Sequence, residues 1–167
     1  AIEVLEAEVR ESLLRGEQPS PQSILCLASY KSLHQYKWSN LIILTSIIEE
    51  VVTRQILEPK QENLLKSNIL VLQEITNKVS SKVREQYEES PYPRWINMGL
   101  SLKPVEFSNE TKKLKLKLFD DSINDIKAPN ILIAGCGTGQ QSIAPASKFK
   151  NAKVLAVDLS LSSLAYA

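Results

Sequence analysis

Three glycines at alternate positions, Gly135, Gly137 and Gly139, follow the apolar run Asn130-Ile131-Leu132-Ile133-Ala134, and one acid, Asp158, closes a second run, Lys153-Val154-Leu155-Ala156-Val157. No other residues in the chain combine type and spacing so suggestively. Without a Cβ, glycine lets the backbone turn with positive φ and lets a ligand lie against bare main chain. Asp158 follows Gly139 by 19 positions (158 − 139), one helix and one strand later. In a unit of two parallel strands joined by a helix, both strand ends open on the same sheet edge, so the loop and the acid would meet there. An acid so placed can accept hydrogen bonds from two ribose hydroxyls. The helix that begins at the glycines would offer backbone N–H groups and a positive dipole end to an anion.

Spacing separates the ligands that use this geometry. The dinucleotide fingerprint is G-x-G-x-x-G, whose third glycine lets the helix pack closely on the strand. Here the third glycine comes one residue early, and Gln140 holds the late position. The order strand, GxGxG, helix, strand and acid over residues 130–158 resembles motif I of the class I S-adenosylmethionine-dependent methyltransferases. That resemblance implies Gly135, Gly137 and Gly139 against the methionine part of S-adenosyl-L-methionine, Asp158 on its ribose and Leu159 at its adenine. Many members carry an acid two residues before the first glycine, where this chain has Ile133, so the partner of the cofactor's amino group is unassigned.

A second stretch, QYEE-x-PYPRW over residues 86–95, strengthens the likeness. Together with ILIAGCGTGQQ and VLAVDLSLSSLAYA it resembles bacterial proteins that carry tetratricopeptide repeats before a methyltransferase domain. The resemblance covers residues 80–167 well and residues 1–79 loosely. Prolines on either side of Tyr92 are expected to hold it in an extended, polyproline-like strip that presents Tyr92, Arg94 and Trp95. The resemblance makes this strip a lid over the cofactor, with Tyr92 and Arg94 as cofactor-binding residues. Repeat-bearing relatives imply a protein or peptide as methyl acceptor. Two other readings of the chain are a non-catalytic interaction module built on a methyltransferase-like half-domain and, less well matched because of Gln140, an NAD(P)-binding oxidoreductase.

The elements that must position these residues follow from periodicity. Ile2, Leu5, Val9, Leu13 and Leu14 lie at helical spacing, and Gly16 stops the run. Ser20 is a suitable N-cap and Pro21 a suitable first residue for a second helix carrying Ile24, Leu25, Leu27 and Ala28. From Leu41 to Leu57 neither glycine nor proline interrupts the chain, which reads as a buried helix ended by Pro59. Residues 60–80 are compatible with one helix or two short elements. Ser80 or Ser81 caps a short helix to Glu89; within 103–117 the alternation Leu114-Lys-Leu116-Lys-Leu118 reads as strand, while an Asn109 cap with Glu110 reads as the start of a helix, the reading preferred here. The run from Ile131 reads as a fully buried strand, and Gln141–Phe149 as a helix that Pro145 either kinks or carries in its first turn. Ser160 starts a last helix with Leu161, Leu164 and Ala165.

Three regions result: a helical region at 1–79, a connecting segment at 80–127, and at 128–167 the first two parallel strands of an α/β, Rossmann-like methyltransferase domain. Such a fold has seven strands, so the chain is expected to be a fragment cut at both ends. Its 167 residues alone would bind the cofactor weakly or not at all, since the remaining walls of the pocket would be missing, and any catalytic residue would lie beyond residue 167.

Composition narrows the partners. A net charge of +1 from 20 basic and 19 acidic residues gives no field to draw in nucleic acid. The lysines at 103, 112, 113, 115 and 117 read as a solvated face. No apolar run approaches the ~18 residues of a membrane span, so no membrane partner is expected. Cys26 and Cys136 form no disulfide framework, and with no signal peptide a cytoplasmic home is the default. His34 has no second ligand at metal spacing, and Cys136 reads as a small loop filler.

Overall fold

A computed structural model describes residues 1–167 as two compact units, Ala1–Leu64 and Leu65–Ala167. The first unit is helical. Helix α1 (Ile2–Leu14) turns its Val9 and Leu13 inward and ends at Gly16, whose φ of +80° suits glycine. Helix α2 (Pro21–Tyr30) begins at Ser20, whose hydroxyl accepts from the Ser23 N–H at 3.2 Å, with Pro21 in the first turn. Ile24 and Leu27 join Val9 and Leu13 in a core completed by Leu33, Tyr36, Trp38, Ile48, Val52 and Ile56. Tyr36 stacks on Trp38 with ring centroids 4.6 Å apart.

The expected helix at Leu41–Leu57 forms only in its second half. Residues 42–45 are extended or irregular, and Ile43, Leu44 and Ile47 are exposed. The cause is a side-chain amide: Gln18 donates to the Leu41 carbonyl and accepts from the Ile43 N–H, meeting backbone needs that a helix would otherwise meet. Helical structure starts only at α3 (Glu49–Val52), passes through a π-helical turn (Thr53–Leu57) and continues as α4 (Glu58–Lys66). Pro59 therefore lies inside a helical run rather than ending one. Proline cannot donate and crowds the carbonyl four residues back, and the wider turn immediately before it relieves that conflict.

In the second unit, helix α5 (Lys78–Glu89) starts at Asn77, not at Ser80 or Ser81, because the Asn77 side chain accepts from the N–H groups of both Val79 and Ser80. Helix α6 (Phe107–Lys113) starts from Glu106, ahead of the expected Asn109 cap. Asn109 lies within its first turn, and the chain leaves it through Lys115 at a φ of +50°. Strands β1 (Asn130–Ala134) and β2 (Lys153–Val157) pair in parallel, Ile131 opposite Val154 and Ala134 opposite Val157. Between them runs helix α7 (Gln140–Lys148), which contains Pro145 in its interior, and after β2 comes helix α8 (Leu161–Tyr166).

Strand β1 is not fully buried. Leu132 and Leu155, opposite each other in register, are 65% and 64% exposed on the same open face. The buried-strand expectation assumed cover on both faces, and here only one face is packed. The chain is thus mixed helix with a small two-stranded parallel sheet. No helix is long and apolar enough to cross a membrane.

Candidate functional site

The glycine loop forms where β1 runs out of partners. Gly135 and Cys136 both donate to the Val157 carbonyl at the end of β2, at 2.8 and 3.1 Å, so the loop stays attached to the sheet while it turns away. All three glycines have positive φ, +74°, +52° and +89° in order, a region that L side chains rarely adopt. A Cβ on Gly135 or Gly137 would meet no atom within 4 Å. The two glycines are required by the backbone turn, and the space before them is open. Gly139 differs: its missing Cβ would lie 2.5 Å from the Ala167 side chain, so its bareness permits packing against the end of α8.

Asp158 meets this loop directly. Its Oδ2 accepts from the Gly137 N–H at 2.8 Å, and its Oδ1 accepts from the Ser160 N–H at 2.9 Å. The convergence of glycines and acid at one sheet edge is therefore present in the coordinates. Each carboxylate oxygen keeps a further acceptor direction after these two bonds. Leu159, next in sequence, is 42% exposed.

One expectation needs correction. The amides of Gly135, Cys136, Gly137 and Gly139 all donate within the chain, the last to the Cys136 carbonyl at 3.0 Å. These four donors are committed, so the glycine loop presents bare Cα surface and carbonyls rather than the row of free N–H groups that a pyrophosphate uses. Cys136 is buried, and burial, followed by the nearby Asp158 charge, raises its thiol pKa above the ordinary value. A thiol held protonated in this way fills space and is a poor nucleophile.

The PYPRW strip packs on the same loop, through residues whose roles the sequence did not disclose. Thr138, between the second and third glycines, is 2% exposed. Its hydroxyl donates to the Pro93 carbonyl at 2.6 Å, and its own carbonyl accepts from the Trp95 indole N–H at 2.6 Å. The Tyr166 hydroxyl donates to the Trp95 carbonyl, and the two rings meet edge to face at 5.4 Å. Arg94 lies over the Tyr166 ring, 4.4 Å from its centroid, while Tyr92 is 76% exposed. The Tyr92–Pro93 bond is cis.

Glu88, near the end of α5, holds the start of α8. Its carboxylate accepts from the Ser162 hydroxyl at 2.7 Å and from the Ser162 N–H at 3.2 Å, with Lys66 3.9 Å away. Burial pushes its pKa up, but the bonds from Ser162, Ser160 and the Leu161 backbone outweigh burial and hold it below the ordinary value. The Ser160 hydroxyl caps the same helix through the Ser163 N–H at 3.0 Å. A threonine between loop glycines and a serine-rich helix start were visible in the sequence, but their partners lie more than 40 residues away. Away from this site, His34 lines a polar cleft in the first unit with Lys37, Asn40, Lys60 and Asn63, and no group of acids, histidines or cysteines there or elsewhere could hold a metal ion.

No protein-family model, curated protein or solved structure matches this chain.

Proposed function

We propose that residues 130–159 are the seat for S-adenosyl-L-methionine, and that the chain provides the cofactor-binding part of a Rossmann-like, class I methyltransferase. The observation that carries this reading is the bond from the Gly137 N–H to Asp158 beside two glycines that face open space. A sulfonium with an uncharged adenosine suits such a surface better than a pyrophosphate, because the loop's glycine amides are already committed and its nearest charge is a carboxylate. The resemblance to motif I supports the same choice.

When bound, this cofactor supplies an electrophilic methyl group on sulfur. The protein's share is then to place that group in line with an acceptor, and positioning of this kind can contribute about 7–11 kcal/mol in favourable cases. Gly135 and Gly137 would admit the methionine chain against the main chain, Asp158 would accept from the ribose hydroxyls with its remaining lone pairs, and Leu159 would lie by the adenine. Tyr92 and Arg94 complete the proposed cofactor residues on the strip.

Calorimetric titration with S-adenosylhomocysteine and, separately, with NAD tests the reading. Heat from the first ligand and none from the second is the expected result. Binding of NAD alone, or of neither ligand by the full-length protein at millimolar concentration, would overturn it.

A further inference from the structure

We infer that the Pro93–Trp95 strip is a strut that fixes the shape of the glycine loop, which makes Trp95 a positioning residue for the adenosyl ligand. This rests on the seat proposed above and names a part of it that motif I does not contain. Thr138 is the only residue between Gly137 and Gly139, two positions whose φ of +52° and +89° leave the backbone freer than at any ordinary residue. Something outside the loop has to select one conformation. Both polar groups that Thr138 can turn outward are taken by the strip: its hydroxyl by the Pro93 carbonyl and its carbonyl by the Trp95 indole. Thr138 is buried, so releasing either bond would leave a desolvated polar group without a partner.

The strut is braced at its far side. Tyr166 donates to the Trp95 carbonyl and packs edge to face on its ring, and Arg94 covers the Tyr166 face. Tyr166 belongs to α8, the helix that Glu88 and Ser160 hold at its start and that begins three residues after Asp158. The loop and the acid are thus connected twice, once directly through Gly137 and once around a circuit of Thr138, Trp95, Tyr166 and α8. A bound adenosyl group that touches the glycines must therefore be felt at the Trp95 indole.

The test uses the chain labelled with 5-fluorotryptophan, which resolves its two tryptophans, Trp38 and Trp95, by fluorine NMR. Titration with S-adenosylhomocysteine should move the Trp95 resonance and leave Trp38 in place. Trp95→Phe keeps a ring and removes the indole donor; Thr138→Val keeps the volume and removes the hydroxyl. Each should weaken binding by roughly five- to tenfold, the range expected for one hydrogen bond, with circular dichroism unchanged. If one variant fails to fold, the other and the unsubstituted chain's Trp95 resonance decide. Wild-type affinity in Trp95→Phe together with a stationary Trp95 resonance would remove the strut while leaving the seat standing. Failure of the full-length protein to bind would remove both.

Discussion

The two units hold themselves together by different means. In the first, ten apolar side chains close a core, from Val9 to Ile56, and polar groups mostly serve its margins. Around the glycine loop of the second, the buried residues are Cys136 and Ala165 among Thr138, Ser142, Ser160, Ser162 and Ser163, while Leu132 and Leu155 stay exposed. Apolar burial is non-directional and tolerates small shifts; hydrogen bonds set distances and angles. The first arrangement suits a scaffold. The second suits a loop that must keep one shape while contributing little burial of its own.

The largest effect expected from this contrast is on the apolar side. Leu27 is fully buried, and Leu27→Ala should cost the first unit about 2–5 kcal/mol, read as an earlier denaturation midpoint of the fluorinated Trp38 signal. A loss under 1 kcal/mol would show that the core is not what holds that unit. In the second unit, Gly139→Ala would force φ of +89° on an alanine and place its Cβ 2.5 Å from Ala167. It should destabilise by about 1–3 kcal/mol and weaken S-adenosylhomocysteine binding in the same titration. Unchanged binding and midpoint would mean that the third glycine is incidental.

The smallest effect is the most specific. The pKa of Glu88 is lowered in the folded chain, so its contribution is fully present above the ordinary value of 4.5 and is lost as the pH falls through the depressed folded value. Glu88→Gln should cost about 1 kcal/mol at neutral pH, since the carboxylate's bonds to α8 are charge-assisted but partly solvated. The gap between variant and wild type, followed by denaturant midpoints of the Trp95 signal, should narrow and close as the pH falls from 4.5 through the depressed folded value. A gap that persists in acid would assign the effect to shape rather than charge.

What the sequence disclosed, and what it withheld, follows the same division. The Ser20 and Pro21 start of α2, the Gly16 stop after α1 and the Ser160 start of α8 are local signals, and each is found where the residues predict it. The meeting of Gly137 with Asp158 was legible because one helix and one strand leave a parallel unit little freedom. The first half of Leu41–Leu57 departs from the expected helix because an unbroken apolar run does not show that Gln18, more than 20 residues earlier, takes the backbone bonds of Leu41 and Ile43. Pro59 was read as a terminator because a widened turn ahead of it leaves no mark in residue types. Asn77 is a good cap by residue type like Ser80 and Ser81, and which of them bonds the free amides is not written in residue types. The contacts of Thr138, Trp95 and Glu88 are non-local, and no spacing rule reaches them.

The most direct test of the adenosyl seat is to label the chain with 15N-glycine and titrate it with S-adenosylhomocysteine to millimolar concentration. Five glycine resonances are available. Those of Gly135, Gly137 and Gly139 should move together along one binding curve while Gly16 and Gly99 stay still. If the three loop resonances remain where they are at saturating ligand, or move only with NAD, the bare backbone beside Asp158 is not an adenosyl site.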